Sequence, residues 1–196
     1  MKQKENKEGK EVPVFIDGVN ICFIPQNSEN IDLYIKWLND PKVRKYFRNE
    51  VPKRAEDIKK WFEPHERGTP GFIGFEIWHK KDKKSIGRVG LGRIDWVNGW
   101  TNVGLSIGEP EYWNKNIATE ATELLVEYAF NELNLNKLHG GACVKNIGSW
   151  SVAEKLAFKF EGIKEDEFYV DGKYLGVKTY SLLKEDWLKW KRKSTE

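Results

Sequence analysis

The stretch Trp113-Asn114-Lys115-Asn116-Ile117-Ala118-Thr119-Glu120-Ala121 joins a turn-prone, basic loop to the start of an amphipathic pattern, and that combination can hold a phosphate. Ala121, Leu124, Leu125, Tyr128, Ala129 and Leu133 recur at i, i+3, i+4 intervals, which gathers apolar side chains on one helical face. The first amides of such a helix have no acceptor within it, and the aligned peptide dipoles leave positive charge there, so a pyrophosphate in front of it is stabilised. Lys115 adds a full charge. Asn114 and Asn116 stand where a tight anion-binding loop commonly has glycine, and asparagine is one of the few other residues that tolerates left-handed backbone. The plainer alternative is an ordinary connection into a surface helix whose dipole Glu120 and Glu123 complement.

Just before this loop, Val103, Leu105 and Ile107 alternate with Gly104, Ser106 and Gly108, so a strand here has one bulky face and one nearly bare face. Bare positions in a strand mark close approach to its backbone, either by a ligand or by a packed neighbour that needs room. Glu109 and Glu111 follow at the strand's end and could take a proton from an attacking group, although a solvated surface role is the more common one for each taken singly. Cys22 and Cys143 lie in apolar, strand-like runs and read as small core residues, which excludes a disulfide scaffold. His65, His79 and His139 have no metal-ligand spacing with one another or with the cysteines, so no metal site is expected.

The elements that must position these groups are legible along the chain. Residues 1–11 are polar or charged after the first methionine and are expected to form a disordered tail. Val12 to Ile16 and Val19 to Ile24 flank Asp17-Gly18, a dipeptide suited to the positive backbone angles of a hairpin. Helical segments are expected from Ile31 to Phe47, broken at Asn39-Asp40-Pro41, and from Arg54 to Phe62, ending before Pro64. Phe72 to Trp78, Ile86 to Trp96 and Thr101 to Ile107 read as an antiparallel meander with turns at HKKDKKS and Asn98-Gly99. After the helix behind the loop come a strand from Lys137 to Lys145, a helix from Ile147 to Phe158, and a hairpin of Glu167 to Val170 with Tyr174 to Leu183 around Asp171-Gly172.

Length and composition fit one domain, taken as residues 12–190 with a short C-terminal tail at 191–196. Hydrophobic residues make up 39% and aromatic residues 13%, enough for a sizeable core beneath a charged surface. A formal charge of +3, from 33 basic and 30 acidic residues, is too small and too mixed for a nucleic-acid footprint. No apolar run is long enough to span a membrane and the N-terminus lacks the apolar block of a signal peptide, so the cytoplasm is the expected compartment.

Taken together, SIGEPEYWNKNIATEATELLVEYAFNELNLNKL, VKNIGSWSVAEKLAFKFEG and YVDGKYLGVKTYSLLKEDW resemble the GNAT superfamily of acetyl-CoA-dependent N-acetyltransferases. Within it the chain is similar to the RimJ/RimL branch, which also resembles spermidine acetyltransferases. The likeness spans roughly residues 19 to 187 and includes the WLNDPKVRKYF segment. It implies an α+β (mixed α/β), GNAT-like fold whose central, mostly antiparallel mixed sheet is splayed around the cofactor and flanked by helices.

The resemblance also implies roles. The strand through Leu105, Ser106 and Ile107 would offer its backbone to the pantetheine arm and acetyl carbonyl. Trp113, Asn114, Lys115, Asn116, Ile117, Ala118 and Thr119 would hold the pyrophosphate, with Asn116 where the family has glycine. Asn146 would contact the cofactor, and Ser149 would lie near its sulfur. Many GNAT enzymes carry a tyrosine general acid four residues before a Gly-Phe pair; here those positions are Ala153 and Ala157-Phe158. Ser149 is the substitute acid, unless it only caps the helix. Glu109, or water, would serve as base.

The implied activity is acetyl transfer from acetyl-CoA to a primary amine by direct attack in a ternary complex, without a metal. A protein N-terminus, a polyamine or an aminoglycoside all qualify as acceptor, and the sequence allows a homodimer. The alternative is a catalytically weak acyl-CoA-binding or sensory protein that keeps the fold.

Overall fold

The computed structural model describes residues 12–47, 51–63 and 68–195. The expected tail at 1–11 and the helix stop at Pro64 lie outside them. One eight-stranded sheet organises the chain: β1 (Ile16–Asp17), β2 (Ile21–Pro25), β3 (Phe72–His79), β4 (Lys84–Asp95), β5 (Trp100–Ile107), β6 (Lys137–Cys143), β7 (Lys159–Val170) and β8 (Lys173–Leu183). Their spatial order is β1-β2-β3-β4-β5-β6-β8-β7. Every neighbouring pair is antiparallel except β5 with β6. This is the mixed, mostly antiparallel sheet that the resemblance implies.

The pleat of the sheet separates two cores. Phe75, Ile77, Val89 and Leu91 turn to one face, where α4 (Ile117–Glu127) buries Ala121, Leu125 and Val126 against them. Leu125 is fully buried, so truncation to alanine would cost about 2–5 kcal/mol. On the opposite face α1 (Ile31–Asn39) and α3 (Ala55–Lys59) close a smaller core around Tyr34, Trp37 and Ile58.

Asp40, in extended backbone, ends α1 and caps α2 (Pro41–Arg44) by accepting from the amides of Lys42 at 2.7 Å and Val43 at 3.4 Å. The break expected at Asn39-Asp40-Pro41 is therefore present. Downstream, α4 widens into a π-helical turn at Tyr128–Glu132, and α5 (Ile147–Lys155) follows β6.

Three local expectations are corrected. Neither Asp17 nor Gly18 takes positive φ. What requires glycine at 18 is crowding, since a Cβ there would stand 2.7 Å from Leu124 Cδ1 and 2.9 Å from Glu120 Oε1. β7 begins at Lys159, eight residues before the expected Glu167, because this edge strand is exposed along nearly its whole length and shows no alternation. Residues 191–195, expected as a tail, continue α6 (Lys184–Thr195), which buries Trp187 and stacks it on Trp190 at 5.0 Å between ring centroids.

Candidate active site

β5 and β6 pair over only three registers, Trp100 with Lys137, Thr101 with Leu138 and Asn102 with His139. Beyond these, β6 stays with β8 as far as Cys143 opposite Val177, while β5 stays with β4 as far as Ile107 opposite Gly87. A wedge therefore opens between the two parallel strands. The Gly108 amide donates to the Ile86 carbonyl at 2.9 Å, which fixes the even-numbered residues of β5 as those bonded to β4. The odd-numbered residues turn their backbone the other way, as Gly99 shows by accepting from the Lys137 amide at 3.1 Å.

Val103 and Leu105 consequently present amide and carbonyl groups to the wedge. The carbonyl of Ile107 is already taken by Trp113 Nε1 at 2.9 Å, and the backbone of Ser106 faces β4, so the expectation of a continuous backbone offer from Leu105 to Ile107 is corrected by the two-residue period of the ladder.

At the wide end of the wedge lies the loop before α4. Asn114 and Asn116 both adopt left-handed backbone, each with φ of 59°, as their residue type predicts. Asn116 is the N-cap of α4 but makes no side-chain capping bond, and its carbonyl accepts from Glu120 N at 3.0 Å. The amides of Ile117, Ala118 and Thr119 thus form the front of the helix. Glu120 does not compete for them, because its carboxylate reaches back to the Asn20 amide at 2.8 Å and the Asn20 side chain at 2.9 Å. Lys115 stands over the Tyr112 ring at 5.5 Å. The donor set of loop, lysine and helix front fits a diphosphate.

Because β5 and β6 are parallel, α4 and α5 start at the same edge of the sheet. Asn146 is the N-cap of α5 and makes no side-chain capping bond, while Ser149 is exposed and its amide donates to the Asn146 carbonyl at 3.0 Å. The capping role weighed for Ser149 is therefore not what this structure shows. Ala157, where the family has glycine, sits at φ of 61°.

Glu109, named from sequence as a base, is fastened on three sides. Lys36 Nζ donates to its two oxygens at 2.7 and 3.0 Å, and Trp37 Nε1 donates to Oε1 at 2.8 Å. Trp37 lies so close to Gly108 that a Cβ there would stand 2.2 Å from the indole. These contacts dock α1 on the end of β5. Glu111 instead pairs with Lys84 at 3.2 Å.

Between α1–α2 and the even-numbered face of the sheet lies a cavity of about 260 Å³, lined by Trp37, Val43, Arg88, Asn102, Gly104 and Ser106 among others. Among the described residues a Cβ on Gly104 would meet nothing nearer than the Gly90 carbonyl at 3.9 Å, so none of them requires this glycine. The bare strand face is thus divided: at Gly108 the packed neighbour Trp37 needs the room, and at Gly104 the geometry supports room for a ligand.

The sequence profile described as the acetyltransferase (GNAT) domain matches residues 20–159. The chain belongs to the GNAT acetyltransferase family.

This GNAT chain is 30% identical over 164 residues to p20, an uncharacterized N-acetyltransferase of Bacillus licheniformis, covering 81% of this chain and 90% of that one. It is 32% identical over 164 residues, 84% of each chain, to YdaF of Bacillus subtilis, whose name assigns it provisionally to ribosomal N-acetylation. The spermidine N-acetyltransferase of Vibrio cholerae, solved with CoA and spermine, superposes with a TM-score of 0.78 at 22% identity over 86% of this chain and 98% of that one, which shows a shared fold. The chain is an enzyme of the N-acetyltransferase class, and among the described residues of this GNAT no helix is long and apolar enough to cross a membrane.

Two residues beside the cavity and the wedge of this GNAT chain were not singled out from sequence. Arg88, in the cavity wall, sits in a strand with no local mark of function. His139, read as structural or surface, is the last residue of β6 to pair with β5, packs edge-on against Trp100 at 5.4 Å, and has its pKa pushed down chiefly by burial and then by Lys137, against an opposing effect of Glu161.

Proposed function

We propose that this GNAT enzyme moves the acetyl group of acetyl-CoA to a primary amine by direct attack in a ternary complex, and that it works within the RimJ/RimL-like branch. The parting of β5 from β6 after Asn102 and His139 carries the reading. Backbone groups of Val103 and Leu105 suit the amides of a pantetheine arm, and the open front of α4 with Lys115 suits a diphosphate at its far end. The cavity beside Gly104 and Ser106 receives the amine from the α1–α2 face. The α1–α2 break and the name of YdaF support the branch. Two cysteines that are both free and buried fit a reducing compartment, which supports the cytoplasm.

Acetyl-CoA supplies the activated acyl group: the C–N bond forms as the C–S bond breaks, the amine loses a proton and the departing thiolate gains one. Ser149, with an exposed hydroxyl at the front of α5, is assigned that donation. Glu109 is assigned a positioning role through Trp37, because its oxygens already accept three hydrogen bonds; water takes the amine's proton. Calorimetry with acetyl-CoA, followed by thiol release across a panel of amines, tests the proposal. Binding with turnover is expected. Binding without turnover on any amine would favour the sensory alternative, and no binding at millimolar concentration would end both.

A further inference from the structure

Arg88 is a partly buried cation in the cavity wall. Its guanidinium lies 4.1 Å from the centroid of Trp61 and 5.3 Å from that of Tyr34. Among the described residues no carboxylate lies within ion-pair distance of it. With the Gln26 amide turned so that its oxygen faces Arg88, that oxygen accepts from Nη2 at 3.0 Å and Nε at 3.2 Å.

The carboxylate opposite Arg88 in the β3–β4 register is Glu76, and it is spent. Glu76 is fully buried and accepts from the Asn27 amide at 3.1 Å, from Asn30 Nδ2 at 3.0 and 2.9 Å, and from the hydroxyls of Tyr34 and Ser85. It offsets the charge of Arg88 from a distance but has no lone pair left to accept its N–H groups. Burial pushes the guanidinium's pKa down, against the opposing pull of Tyr34 and Glu76. A planar fork set against two adjacent rings, partly desolvated and with no carboxylate partner among the described residues, is suited to a carboxylate. It is unsuited to a polycation, which needs carboxylates in the wall; of the described residues that line the cavity, none is Asp or Glu.

We infer that the acceptor of this enzyme is an amine that also carries a carboxylate, and that Arg88 is the residue that selects it, by pairing with that carboxylate while the amine faces Gly104 and Ser106. The carboxylate can belong to a free amino acid or to the acidic side chain of a peptide near its N-terminus. The inference rests on the cavity being the acceptor site of the proposed reaction.

The test compares matched acceptors with wild-type, Arg88→Gln and Arg88→Lys enzymes. A set of amino acids and their amides forms one arm, peptides with Asp or Asn at the second position form another, and spermidine forms the third. Thiol release should give kcat/KM at least tenfold higher for the carboxylate partner of one matched pair, and the pair that shows it names the source. Arg88→Gln should bring that ratio to near one, with Arg88→Lys between. Acetyl-CoA affinity, measured alongside, confirms that each variant is folded. Spermidine outrunning both carboxylate arms, or a preference unchanged in Arg88→Gln, would overturn the inference. Calorimetric binding of the same acceptors to the CoA complex separates the two claims. Carboxylate-selective binding lost in Arg88→Gln but without turnover would sink the transfer reaction and leave Arg88's selectivity standing, whereas turnover without selectivity would do the reverse.

Discussion

Trp113 Nε1 donates to the Ile107 carbonyl at 2.9 Å, so the loop ahead of α4 is clipped to the end of the strand that forms one wall of the wedge. Trp113→Phe removes the donor and keeps the ring. The loss of one hydrogen bond is worth about 0.5–1.5 kcal/mol. We expect acetyl-CoA affinity to fall roughly 2- to 12-fold with kcat little changed. Calorimetry checks it; unchanged affinity would show that the clip does not set the loop.

Lys115 brings the loop its full charge. Lys115→Glu should weaken acetyl-CoA binding by tenfold or more, and the wild-type affinity should fall with added salt more steeply than the variant's. Equal affinities would misplace the diphosphate.

Ser149 and Glu109 are separated by their kinetics. Ser149→Ala should lower kcat while leaving the dissociation constant for acetyl-CoA near the wild-type value. Glu109→Gln should lower the melting temperature, because it removes the charge that Lys36 faces, and should affect turnover through the seat of α1. A Ser149→Ala enzyme of normal rate would remove the hydroxyl from the chemistry.

Ala157 occupies left-handed backbone at φ of 61°, where its Cβ is a burden that glycine does not carry. Ala157→Gly should stabilise the fold by about 0.5–1 kcal/mol, read as a rise in melting temperature. A fall would mean that the lost side chain packs better than the backbone is strained.

His139 links stability to pH. Its folded pKa lies below the ordinary value of 6.5, so the unfolded chain binds the proton more readily. The contribution is present above about pH 6.5 and is lost as pH falls through the folded value. Wild-type stability should therefore drop on acidification across that window, and His139→Gln should flatten this part of the profile. A wild-type profile that rises toward acid there would contradict the assignment.

What could be read from sequence was what is decided locally. Asn114 and Asn116 announced left-handed backbone by residue type, Asp40-Pro41 announced a helix break, and the alternation through Val103 to Gly108 announced a strand with one bare face. What could not be read depends on partners far along the chain. Glu120, which looked like a dipole complement for its own helix, is spent on Asn20, and Glu109 is spent on Lys36 and Trp37. No local period encodes those pairings. The long edge strand from Lys159 escaped because it is solvated along most of its length. Arg88 escaped because its meaning comes from Tyr34, Trp61 and a saturated Glu76, which meet only after folding.

β5 has separate business on two sides. Its odd-numbered backbone groups look into the parting from β6, while Gly104 and Ser106 look into the cavity under α1. On the proposed reading, coenzyme and amine meet different groups of this one strand, so each is expected to bind without the other. Initial-rate plots against both substrates should intersect, and either should bind when the other is absent; parallel lines would mean that the two bind in a fixed alternation.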